Sequence, residues 1–166
     1  MLKKTLLLLA VLTTCAGLTA ARAEPLAITD YSFVWHAAKV QDVAMDIEKS
    51  PEGLLVAISS PGGALARVYA TPDQAVDIAE ALKKADEYYE KQMRDMDFNA
   101  EDVVPVGPFF KVYFSSSRGK NFQVRLRGSG AFGPAVNMTR KEALGIIEHL
   151  LRANEMAALV NERIRP

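Results

Sequence analysis

Phe110, Val112 and Phe114 alternate with Lys111, Tyr113 and Ser115, and shortly after, Phe122, Val124 and Leu126 alternate with Gln123, Arg125 and Arg127. A period of two is the mark of a strand with one buried and one wet face. The same reading predicts strands at about 31–37, 42–48, 54–60 and 65–70, then at 109–116, 121–127 and 134–138, with another at 103–106. In the second of these, Val43, Met45 and Ile47 point one way and Asp42, Asp46 and Glu48 the other, which predicts a solvated acidic face. Pro61-Gly62-Gly63 supplies a hairpin turn.

Elsewhere the period lengthens to threes and fours. Ala75, Ile78, Leu82, Ala85, Tyr89 and Met96 predict a helix from about 72 to 97, and Leu144, Ile147, Leu150, Leu151 and Ala158 predict one from about 140 to 162. Both open on the same device. Thr71 with Gln74, and Thr139 with Glu142, read Thr-x-x-Gln/Glu, the capping box. Pro72 takes the first helical position, where its missing amide is harmless.

The two caps lie 68 residues apart, and Val68–Leu82 aligns with Val136–Leu150 at that offset. The chain therefore reads as an α+β protein, two similar halves of antiparallel sheet followed by helix (about 24–100 and 101–166), in one domain. This twice-repeated ββββα order resembles the Whirly family and the related coactivator-type single-strand DNA-binding fold. The resemblance rests on element order, so no functional residue is carried over; it implies the fold and says little about function.

For the hairpin of the second half, keeping apolar opposite apolar pairs Val112 with Val124. That leaves Ser117-Arg118-Gly119 as a three-residue loop ending in glycine. The register sets Lys111 opposite Arg125 and Tyr113 opposite Gln123 on the outer face.

The first 23 residues read as an address. Lys3 and Lys4 precede the apolar run Leu6–Leu12, and Ala21-Arg22-Ala23 offers a small-x-small cleavage site. Seven apolar residues are far short of the roughly 20 that span a bilayer. Cleavage after Ala23 predicts a soluble periplasmic or secreted protein; a lipoprotein anchored through Cys15 is the competing reading.

Export changes the charge. The whole chain has 20 basic and 20 acidic residues; without Lys3, Lys4 and Arg22 there are 17 against 20. The remainder is uneven. Residues 24–102 carry 7 basic and 16 acidic side chains, whereas 103–141 carry Lys111, Arg118, Lys120, Arg125, Arg127, Arg140 and Lys141 and no acid.

Catalytic motifs are absent. Gly128-Ser129-Gly130-Ala131-Phe132-Gly133 spells G-x-G-x-x-G, but Pro134–Met138 reads as extended where a dinucleotide site needs a helix. His36 and His149 are unaccompanied by cysteine in the exported chain, and no zinc spacing occurs. Ser115-Ser116-Ser117 lacks a nucleophile elbow. No cofactor or metal is called for. The expectation is a non-enzymatic binding or interaction module for an anionic polymer or acidic protein surface, held by Lys111, Tyr113, Arg118, Lys120, Arg125 and Arg127. The alternatives are a self-associating envelope protein whose acidic half covers the basic face, a single-stranded nucleic-acid binder, and a small hydrolase using the carboxylates of 42–48.

Overall fold

The structure, a computed structural model, describes residues 29–94, 97–130 and 133–164. The address segment, its Ala23 cleavage site and Cys15 lie outside the described residues. Four strands, β1 (Phe33–Val40), β2 (Val43–Ser50), β3 (Gly53–Ser59) and β4 (Arg67–Ala70), form one antiparallel sheet in sequence order. Four more, β5 (Asn99–Val106), β6 (Phe110–Ser117), β7 (Lys120–Gly128) and β8 (Ala135–Met138), form a second sheet of the same order. The expected turn at Pro61–Gly63 is followed by a single 3-10 turn, Ala64–Ala66, closed where the Ser60 amide donates to the Ala66 carbonyl.

The period-two patterns place the core. Val43, Met45, Ile47, Val56, Ile58, Val68 and Ala70 are buried on one face of the first sheet; Val112, Phe114, Val124, Leu126, Val136 and Met138 are buried on one face of the second. All belong to one continuous apolar cluster. The expected α+β class and the two-half layout are present.

Both long helices are interrupted, against expectation. The first is α1 (Pro72–Leu82) and α2 (Ala85–Met93), the second α3 (Arg140–Leu151) and α4 (Ala153–Arg163). The breaks, at Lys83-Lys84 and at Arg152, again stand 68 residues apart. No glycine or proline marks either. At each the backbone tightens to a bond three residues back, from the Lys84 amide to the Ala81 carbonyl and from the Arg152 amide to the His149 carbonyl, and the arms pack on the other half's sheet. Helix α2 lies on β6 and β7, α3 on β1 and β2, and α4 on β2, while α1 packs against α3 and α4 between them. Side chains follow the exchange. The Tyr88 ring of α2 stacks on Phe114 of β6 at 4.7 Å, and Tyr89 meets Phe122 of β7 edge-on at 5.3 Å. No helix among the described residues is long and apolar enough to cross a membrane.

Both capping boxes form. Thr71 and Thr139 accept from the amides of Gln74 and Glu142, whose side chains reach back to the threonine amides. Glu142 goes further. Its second oxygen accepts from the Asp42 amide at 3.1 Å, tying the start of α3 to the β1–β2 turn of the other half. Burial alone would push the Glu142 carboxyl up, but the bonds from Thr139 and Asp42 outweigh it and hold it below the usual carboxylate range.

Candidate anion-binding face

The outer face of the second sheet is built by the side chains alternate to the core. Its rows, read across the strands, are Pro105, Lys111, Arg127 and Ala135, then Val103, Tyr113, Arg125 and Asn137, then Glu101, Ser115 and Gln123, the last row carrying the one acid of the three. This corrects the expected pairing. Phe114, not Val112, stands opposite Val124, so Lys111 opposes Arg127 and Tyr113 opposes Arg125. The cause lies at the tip, where Arg118-Gly119 forms a two-residue turn and a bulge at Asn121-Phe122, opposite Ser116, adds a residue to β7. Both turn residues have left-handed backbone, with φ of 49° and 63°. That is the geometry a tight hairpin demands. A slip of two preserves which residues face inward, so the core assignment stands while the neighbours change.

Of the seven cations between 103 and 141, Arg140 meets a carboxylate among the described residues: its Nε donates to Asp86 of α2 at 2.6 Å, and its guanidinium lies over the Tyr89 ring. Lys111, Arg118, Lys120, Arg125, Arg127 and Lys141 have no carboxylate within 4.0 Å among the described residues. Arg125 instead donates to the Asn137 side chain at 2.9 Å, which aims its guanidinium along the sheet toward β8.

Apart from Glu101, itself a row beyond Tyr113, the acidic half leaves Lys111 and Arg125 exposed. Its strand carboxylates are engaged on their own sheet, where Asp46 accepts from His36 Nδ1 at 2.8 Å and from Arg67 at 3.0 Å, and Arg67 also bonds Glu48. Asp46 is buried and paired and Glu48 is half-buried beside Arg67, so of the expected solvated acidic face only Asp42, in the β1–β2 turn, is exposed. Arg67 reaches it from β4, two strands away, and its guanidinium also lies 5.5 Å from the centre of the Tyr69 ring. No spacing in the sequence announces that cluster. Among the described residues, no three His, Cys, Asp or Glu side chains converge as a metal site would need.

The six expected residues divide between two places. Lys111, Tyr113 and Arg127 line a hollow of about 410 Å³, together with Phe109 and Ser129. Phe109 is half exposed there, an aromatic surface that the sequence reading overlooked. Arg125 sits beside this group, opposite Tyr113. Arg118 and Lys120 flank the hairpin tip, roughly 20 Å away along the strands. The glycine loop at 128–130 forms a wall of the hollow. The Gly128 amide donates to the Pro134 carbonyl and the Gly133 amide to the Gly130 carbonyl, and β8 follows where a dinucleotide fold would begin its helix. No protein-family model and no curated protein matches the chain.

Proposed function

We propose that the protein is an exported, non-enzymatic binding module that holds an anionic partner on the outer face of its second sheet. Lys111 opposite Arg127 is the observation that carries this reading. Like charges directly opposed across a pair of strands destabilise it, and no carboxylate among the described residues relieves these two. An anionic ligand would relieve them, and the neighbouring Tyr113 and Phe109 rings add stacking surface beside the charge. An anionic polymer of the cell envelope or an acidic protein surface suits a periplasmic or secreted chain better than nucleic acid does.

The test is retention of the exported form (residues 24–166) on a sulfated-polysaccharide resin across a salt gradient. Wild type should elute late and earlier as salt rises. Lys111→Glu with Arg127→Glu should elute in the void, while Arg118→Glu with Lys120→Glu should lose less. Unchanged retention of the first double variant would sink the proposed face.

A further inference from the structure

The two halves build the same seam twice and seal it once. Through the ladders, Trp35, Ile47, Val56 and Ala70 form a row in the first sheet that corresponds to Asp102, Phe114, Val124 and Met138 in the second. The helical arms correspond at 68 residues, so Leu159 and Val160 of α4 take the places of Lys91 and Gln92 of α2. In the second sheet the seam is closed by polar contacts. Lys91 bonds Asp102 at 2.7 Å, and Gln92 donates to Asp102 and to the Phe114 carbonyl, both at 2.9 Å. Tyr88 and Tyr89 fill the space beside them.

In the first sheet every one of those closing groups is replaced by an apolar one. The seam stays open as a groove of about 400 Å³ between β1 and α4, floored by Ile47 and Val160 and walled by Phe33, Trp35 and Leu159. Phe33 and Trp35 belong to the strand face that looks toward the helices, yet they are 44% and 37% exposed. Apolar side chains on the covered face of a sheet are ordinarily buried. The groove is walled by hydrocarbon and aromatic surface, which is the make-up of a small-molecule site. One charge stands on its rim. Arg163, exposed, lines it and has no carboxylate within 4.0 Å among the described residues. The neighbouring Lys49 is already committed, donating to the Ile164 carbonyl at 2.6 Å.

We infer that this groove is a second binding site, independent of the basic face, for a single-chain amphiphile with an anionic head. The acyl chain lies over Ile47 and Val160 between Trp35 and Leu159, and the head group pairs with Arg163. The volume suits one chain rather than a bilayer surface, and the rim cation selects an acid over an alcohol of equal length.

Trp35 is the sole tryptophan of the chain and lines the groove, so its emission reports occupancy. Titrating residues 24–166 with dodecanoate below its micelle concentration should give a saturable blue shift. Dodecanol should bind about three- to fivefold more weakly, the worth of one exposed ion pair. Arg163→Gln should bring dodecanoate down to the alcohol's affinity and leave the alcohol unchanged. Leu159→Asp, at an exposed position, should abolish both shifts while the circular dichroism stays that of wild type. Dodecyl phosphate in place of dodecanoate separates a phosphate head from a carboxylate, and saturable binding of either supports the site. Equal affinity for acid and alcohol, or no saturable shift, would overturn it. So would an emission that blue-shifts with protein concentration as the mass in light scattering rises, which would give the groove to a second copy.

Discussion

Gly145 of α3 lies against Val40 of β1, so closely that a Cβ on the glycine would fall 2.7 Å from Val40 Cγ1. The helix of one half thus touches the strand of the other with nothing between them. Gly145→Ala gains about 1 kcal/mol of helix propensity but forces an overlap that costs about 1–3 kcal/mol. Because the clashing atom belongs to a stiff β-branched side chain, a net loss of about 1 kcal/mol is expected in urea unfolding. Adding Val40→Ala should recover part of it, a coupling between positions 105 apart in the chain that independent halves would not show.

Glu142 serves two halves with one carboxylate, and its protonation should register in stability. Its folded pKa is depressed, so its contribution is full above the unfolded value of about 4.5 and is lost as the pH falls through the folded value. Glu142→Gln keeps one acceptor oxygen, as Gln74 does in the first half, but turns an amide toward the Asp42 N–H. The variant should be about 1–2 kcal/mol less stable at pH 7, and the gap should narrow below about pH 4. Parallel denaturation curves at pH 7 and pH 3 check both parts.

Arg127→Glu should separate binding from stability. It replaces a like-charged cross-strand pair with an opposite-charged one, worth about 0.5 kcal/mol in favour of the fold. The expected variant melts slightly higher than wild type and is retained less by polyanion resin. A lower melting temperature would mean that Arg127 serves the fold rather than a ligand.

The exchanged arms predict that neither half folds alone. Residues 24–98 would leave α2 without β6 and β7, and residues 99–166 would leave α3 and α4 without β1 and β2. Each fragment should be largely unfolded by circular dichroism, and an equimolar mixture should regain helical signal and a cooperative melt. A fragment that melts cooperatively by itself would contradict the packing described.

What the sequence made legible was local. A capping box needs four adjacent residues, and Thr71-x-x-Gln74 and Thr139-x-x-Glu142 carry the whole signal within them. Alternation likewise placed Val112, Phe114, Val124 and Leu126 inward, since inward and outward depend on parity alone. Register depended on something the letters conceal. Arg118 adopts a left-handed backbone that arginine seldom takes, and a bulge beside Ser116 absorbs the extra residue. The helix breaks were invisible for a different reason, since Lys83-Lys84 and Arg152 are good helix formers that carry no breaking signal. Arg67 joining His36, Asp46 and Glu48, and Phe109 joining Lys111 and Arg127, are meetings between distant segments that no window along the chain contains.

The exchange of arms also orders events in time. The final helix, Ala153–Arg163, roofs the strand Val43–Ser50, which is made more than a hundred residues earlier. A chain that stops before Ala153 leaves part of β2 without its covering helix, although α1 and α3 already lie on the first sheet. Completing that sheet therefore depends on a contact between segments about a hundred residues apart, the kind of pairing that folds slowly.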